Sequence, residues 1–142
     1  MDIRPAVPSE TDRVVALWEV CGLTRPWNDP RRDLEFARGK TNSTVLVGHL
    51  DQKIMASVMV GHDGHRGNVY YLAVAPDYQG KGFGRAMLQA AEAWLVAKGI
   101  WKLNLMIRSE NTKVIGFYER LGYEEQDIAM LGRWIDPNKK TD

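Results

Sequence analysis

Between Pro76 and Met87 the chain reads PDYQGKGFGRAM: Gly80, Gly82 and Gly84 alternate with Lys81 and Phe83, with Gln79 in front and Arg85 behind. Glycine takes positive φ without penalty and lets a backbone approach a ligand closely. Such residues directly before a helix present consecutive N–H groups at the positive end of the helix dipole, which makes a ready phosphate site. The dipole contributes about 0.3 to 1 kcal/mol per exposed negative charge. Two familiar phosphate patterns fail on spacing. The dinucleotide fingerprint needs a third glycine where Arg85 stands, and no G-x-x-x-x-G-K-S/T run exists. A plain strand–turn–helix, whose glycines serve only the bend, is the alternative reading.

Other residues with chemical potential cluster in two places. GHDGHRG, residues 61 to 67, holds His62, Asp63 and His65. A histidine there has a suitable intrinsic pKa for a general base, although Asp-Gly and Arg-Gly suit a solvated hairpin turn equally well. With three histidines in the whole chain and no thiol nearby, a metal site is not expected. NTKVIGFYERLGY, residues 111 to 123, offers Asn111 as a helix cap and Tyr118 on a stripe with Val114 and Leu121.

The elements around these residues follow from periodicity and punctuation. Residues 1 to 5 read as an edge strand closed by Pro5 and Pro8, and Ser9 as the N-cap of a first helix. That helix carries Val14, Leu17, Trp18 and Cys21 at helical spacing and stops near Gly22. Asp29 caps a short second helix with Pro30 in its first turn. STVLVGHL and KIMASVMVGH are two strands joined by a polar turn, and VYYLAVA is a third whose unbroken apolarity predicts burial on both faces. Residues 83 to 98 form a long helix ended by Lys98-Gly99. WKLNLMIR is a further strand, TKVIGFYERL a further helix, and YEEQDIAMLGRWI at least one last strand. This order predicts a mixed α/β fold, a central mixed sheet flanked by about four helices. It forms a single domain over residues 1 to 136, with 137 to 142 as a flexible tail.

Size and charge narrow the class. With 142 residues, 44% hydrophobic, 26% charged and a formal charge of +1, the chain has no basic excess for nucleic acid. No apolar run approaches the roughly 20 residues of a bilayer span, and the first residues lack a signal-peptide core. The lone Cys21 excludes an internal disulfide. A cytoplasmic protein is expected.

Gln79-x-x-Gly82-x-Gly84 closely resembles the Q/R-x-x-G-x-G/A signature of the GNAT superfamily of acyl-CoA N-acyltransferases. Residues 111 to 123 resemble that family's second motif, in the family order, and the resemblance runs over essentially the whole chain. RPWNDP at 25 to 30 and GHDGHRG followed by YYL look like the bacterial YpeA-type branch. The resemblance implies an acetyl-CoA-dependent N-acetyltransferase, with a small-molecule amine or a protein or peptide amine as acceptor. The amine would attack the thioester through a tetrahedral intermediate. By position, Leu72, Ala73 and Val74 would pair with the pantetheine arm, and one of their N–H groups would polarise the thioester carbonyl. Gln79, Gly80, Lys81, Gly82, Phe83, Gly84 and Arg85 would hold the pyrophosphate. Asn111 would contact pantetheine, and Tyr118 would protonate the departing thiolate.

The chain departs from its relatives at the general base. Met106 occupies one position where some relatives carry glutamate, and NVYYLAV holds no acid at the other. His62, Asp63 and His65 remain as base candidates, beside a water-relayed route. Trp27, Asn28 and Asp29 stand where this family selects its acceptor. The missing acid leaves open a GNAT-fold module that holds an acyl-CoA without turnover. Relatives occur as monomers and homodimers, and nothing in the sequence chooses between them.

Overall fold

The computed structural model describes residues 1 to 140. The chain divides into two compact units, Met1–Leu105 and a second that begins at Met106. In the first unit the order is β1 (Asp2–Pro5), α1 (Thr11–Val20), α2 (Pro30–Ala37), β2 (Ser43–Leu50), β3 (Lys53–His62), β4 (Gly67–Val74), α3 (Phe83–Ala97) and β5 (Leu103–Asn104). The second unit holds α4 (Thr112–Arg120) and a 3-10 turn, Pro137–Lys139. The sheet runs in the order β1-β2-β3-β4-β5, antiparallel until β5, which pairs parallel to β4. A five-stranded mixed sheet with four α-helices is therefore the architecture of the described residues, as the sequence predicts. No helix among them is long and apolar enough to cross a membrane.

Alternation along β2 and β3 explains the layering. Val45 and Val47 join Val14, Trp18, Leu34 and Ala37 of α1 and α2 in one buried cluster. Leu46, Ala56, Val58 and Val60 are buried too, so both faces of these strands are covered. On α3, Met87, Ala91 and Leu95 recur every four residues with Leu88 and face the sheet. Gly67 permits that approach, since a Cβ there would sit 2.5 Å from the Leu95 Cδ1 atom.

Several expectations are corrected. The cap of the first helix is not Ser9: Pro8–Glu10 forms a 3-10 turn, and the Glu10 carboxylate accepts the Val7 N–H at 2.9 Å. Full two-sided burial belongs to β2 and β3, whereas Tyr70 of β4 is exposed and Leu72 and Val74 are half-buried. The strand expected over residues 101 to 108 shrinks to Leu103–Asn104, since only Gly67 and Asn68 of β4 pair with it. Residues 123 to 135 form no strand. Four polar residues followed by the run Ile128 to Leu131 have no period-2 alternation, so no face is defined for a sheet to bury. Within the segment expected as a tail, Pro137–Lys139 forms a 3-10 turn whose Asn138 N–H donates to the Asp136 side chain, and residues 141 and 142 lie outside the described residues.

Glu10 ties the first strand to the first helix. Its carboxylate, 2% exposed, accepts from both terminal nitrogens of Arg4 at 2.8 and 2.7 Å. The Arg4 hydrogen bonds hold its pKa down at about 2 against burial, which acts the other way. A lowered carboxylate pKa stabilises the fold above the ordinary range near 4.5, and that contribution disappears as pH falls toward 2. Glu10→Gln is expected to lower stability at pH 7 by about 1.5 to 3 kcal/mol, as for charge-assisted hydrogen bonds. Urea unfolding should show this deficit narrowing as pH drops from 4.5 toward 2.

Candidate functional site

The glycine segment grows directly out of β4. After Val74 the chain makes a 3-10 turn, Pro76–Tyr78, and reaches Gly80 and Gly82 in left-handed conformation at φ 76° and 85°. Gly82 is the N-cap of α3. A side chain at either glycine would be strained, yet a Cβ would meet nothing within 4 Å. Packing therefore does not require these glycines; backbone conformation does, and the space above them is open. The first α3 bond runs from the Ala86 N–H to the Gly82 carbonyl at 3.1 Å. The N–H groups of Phe83, Gly84 and Arg85 thus precede the intrahelical ladder. No acidic residue lies in this first turn, and Lys81 and Arg85 supply positive charge beside it. Gln79 braces the loop, donating from Nε2 to the Val74 carbonyl at 2.9 Å.

β4 itself is asymmetric. On one side β3 accompanies it to Val74, while on the other β5 pairs only at Gly67↔Leu103 and Asn68↔Asn104. From Val69 to Val74 no strand among the described residues lines that second edge. The β3 register slips between Ser57 and Met59, so Tyr71 and Leu72 together oppose Val58 in a bulge. Leu72, the second residue of the bulge, is followed by Ala73 and Val74, and the chain runs from these three through the Pro76–Tyr78 turn to residues 79–85.

The base candidates stand elsewhere. Asp63 closes the β3–β4 hairpin, its Oδ1 accepting the N–H groups of His65 and Arg66 at 2.8 Å each. Those backbone hydrogen bonds hold its carboxyl below the ordinary aspartate value. The His62 Nδ1 accepts the Gly64 N–H at 3.0 Å, and its ring faces Trp94 at 6.2 Å. This turn is at the opposite end of β4 from the glycine loop, and eight strand residues span roughly 25 Å at about 3.3 Å each. The geometry does not bring His62, Asp63 or His65 to the loop.

At the start of α2, Asp29 caps the helix by accepting the Arg32 N–H at 3.2 Å, as predicted. Asn28 donates its N–H to the Arg25 carbonyl, and Trp27 is 39% exposed. One turn on, Asp33 accepts the Tyr71 hydroxyl at 2.8 Å. Sequence reasoning missed Asp33 and Tyr71. The only trace was the run Tyr70, Tyr71, Leu72, three large side chains in succession where alternation would be regular.

In the second unit Asn111 caps α4, its Oδ1 3.4 Å from the Val114 nitrogen. Tyr118 is 8% exposed, packed edge-on against Phe117 and Tyr123, and burial pushes its pKa up to about 12. Its hydroxyl remains protonated through the physiological range. Met106, the first residue of this unit, is 47% exposed.

The model of the acetyltransferase (GNAT) family matches residues 12 to 123. A Yersinia pestis protein named as an uncharacterised N-acetyltransferase is 47% identical over 133 residues, covering 94% of this chain and 94% of its own. Two solved structures share the fold. The acetyltransferase AAC(6′)-Iy, bound to the bisubstrate analogue CoA-S-monomethyl-acetylneamine, aligns with a TM-score of 0.78 at 17% identity over 94% of this chain and 97% of its own. The ribosomal-protein-S18-alanine N-acetyltransferase of Escherichia coli aligns with a TM-score of 0.74 at 23% identity, over 88% and 78%.

Replacing Gly82 by alanine puts a Cβ on a left-handed residue. Gly82→Ala is expected to lower stability by about 1 to 2 kcal/mol, read by urea unfolding. It should also weaken protection by coenzyme A, read by ligand-dependent melting.

Proposed function

The chain belongs to the GNAT family of acetyltransferases and is an N-acetyltransferase that draws on acetyl-CoA, and from that premise we propose transfer of the acetyl group to a primary amine by direct attack on the thioester. The observation that carries this reading is the unpaired edge of β4 running straight into the glycine loop. An extended amide-bearing arm pairs with such an edge as an added strand, and its phosphates meet the N-terminus of α3. Acetyl-CoA supplies an activated acyl group on an extended, amide-containing arm that ends in a pyrophosphate.

The residues divide the work accordingly. Leu72, Ala73 and Val74 offer backbone groups to the arm, and an N–H among them faces the carbonyl oxygen as charge builds there. Gly80 through Arg85 hold the pyrophosphate, with Gln79 fixing the loop to the strand. Asn111 binds the arm. Tyr118, protonated up to about 12, is the proton donor to the departing thiolate. Trp27, Asn28 and Asp29 border the acceptor.

The acceptor must arrive as a free amine. For a lysine-like group, losing the proton at pH 7 costs about 4 to 5 kcal/mol. The unpaired stretch of β4 contains no acid, and the hairpin residues His62, Asp63 and His65 lie at its far end. We therefore assign the proton to solvent water rather than to those side chains.

The test is thiol release from acetyl-CoA with a panel of amines, including neamine and a peptide with a free N-terminal alanine. At least one amine should raise release above the rate with acetyl-CoA alone. Indifference to every primary amine in a broad panel would overturn the reading. Tyr118→Phe should lower kcat by about 100-fold or more, the ordinary worth of a positioned acid. In the wild type, no loss of kcat from Tyr118 ionisation is expected until pH approaches about 12.

A further inference from the structure

Tyr71 has φ 52°, a left-handed conformation that bulky side chains rarely adopt. Among the described residues, the other non-glycine positions with positive φ are Asp51 and Gln52, which form the tight β2–β3 turn where such angles belong. Tyr71 lies inside a strand, at the bulge opposite Val58. A strained residue persists only where its surroundings over-determine it, and such residues gather at working sites.

Three sets of contacts constrain this one. Its ring stacks on Trp18, with centroids 3.8 Å apart and planes at 11°. Its hydroxyl donates to Asp33 Oδ2 at 2.8 Å. Its carbonyl accepts the Ser57 hydroxyl at 3.0 Å, and Ser57 in turn accepts the Trp18 indole N–H at 2.8 Å. Trp18 and Ser57 are fully buried. The contacts close a ring: indole to hydroxyl, hydroxyl to Tyr71 carbonyl, and Tyr71 ring back over the indole. Burial and the Asp33 carboxylate push the Tyr71 pKa well above the ordinary tyrosine value. The hydroxyl therefore stays a donor, and the clamp stays closed, throughout the physiological range. A tyrosine used only as core filler would stack on Trp18 from an ordinary strand conformation; this one is held in a costly φ whose immediate effect is to re-aim the residues after it.

We propose that Tyr71 is a positioning residue for acetyl transfer: clamped by Trp18, Ser57 and Asp33, it holds the β4 bulge and so sets the direction of the Leu72 and Ala73 N–H groups. The proposal rests on the acetyl-transfer reading, in which those groups meet the thioester arm. Asp33 acts through Tyr71, so its oxygen is needed as an acceptor and its charge is not.

Two readouts test it, one independent of turnover. In amide NMR spectra of the free protein, Tyr71→Phe and Asp33→Ala should shift the Leu72 and Ala73 resonances, while Asp33→Asn, which keeps an acceptor oxygen, should leave them near wild type. With the best amine of the panel, Tyr71→Phe and Asp33→Ala should lower kcat by about 10- to 100-fold, the effect of a misplaced reacting geometry. The KM for acetyl-CoA should change little, and Asp33→Asn should restore kcat. Unmoved resonances, or moved resonances with unchanged kcat, would overturn the proposal. So would an Asp33→Asn loss as deep as that of Asp33→Ala, which would place the carboxylate charge on the acceptor instead. Asp33→Ala keeps the test available if Tyr71→Phe does not fold. Should the wild type neither bind acetyl-CoA nor release thiol, the transfer reading fails, and the NMR comparison still decides whether Tyr71 holds the bulge.

Discussion

Among the described residues, no strand lines one edge of β4 from Val69 to Val74, and the rest of the candidate site is organised around that edge. Backbone N–H and C=O groups demand partners, and an unpaired strand edge is a template for whatever extended chain can supply them. β5 leaves after Asn68, and three residues further on β4 bulges at Tyr71. Beyond the bulge the strand runs into a loop whose glycines are left-handed with open space above them. An amide-bearing arm with a phosphate end matches that sequence of surfaces.

The rest of the first unit keeps this edge in place. Helices α1 and α2 cover one face of the sheet and α3 the other, so β2 and β3 are buried on both sides and form a stiff support. Gly67 lets Leu95 press α3 against the start of β4, which sets the direction of the helix whose other end carries the glycine loop. Gln79 fixes the loop to Val74. The Arg4–Glu10 pair anchors the strand before α1, and α1 carries Trp18 to Ser57 and Tyr71. Each contact reaches the β4 edge through one or two others.

Much of this was legible beforehand, for physical reasons. The loop announced itself because only glycine tolerates φ near 80°, and α3 because its apolar residues keep helical period. Asp29 was readable as a cap because its side chain competes locally for an N–H. The bulge was not readable. It depends on a stack and hydrogen bonds between residues 18, 33, 57 and 71, and no local pattern encodes contacts so distant in the chain. The last strand failed for the opposite reason: Ile128 to Leu131 has strand-like composition, but without alternation it specifies no register. GHDGHRG was read as chemistry and as a turn. In the structure Asp63 is occupied by the turn's own N–H groups, and the length of β4 separates it from the loop.

The most direct measurement is thermal unfolding of the protein with and without acetyl-CoA, set against NADH and ATP. A ligand that pairs with the β4 edge and the glycine loop together stabilises the native state by roughly 2.7 kcal/mol at a hundredfold excess over Kd. For a chain of this length that corresponds to a rise of about 5 to 10 °C. This rise is expected with acetyl-CoA and little or none with the other two, because they carry phosphates without the pantetheine arm. No rise at millimolar acetyl-CoA, or an equal rise with ATP, would contradict it: the first would leave the edge without its ligand, and the second would reduce the loop to a general phosphate site.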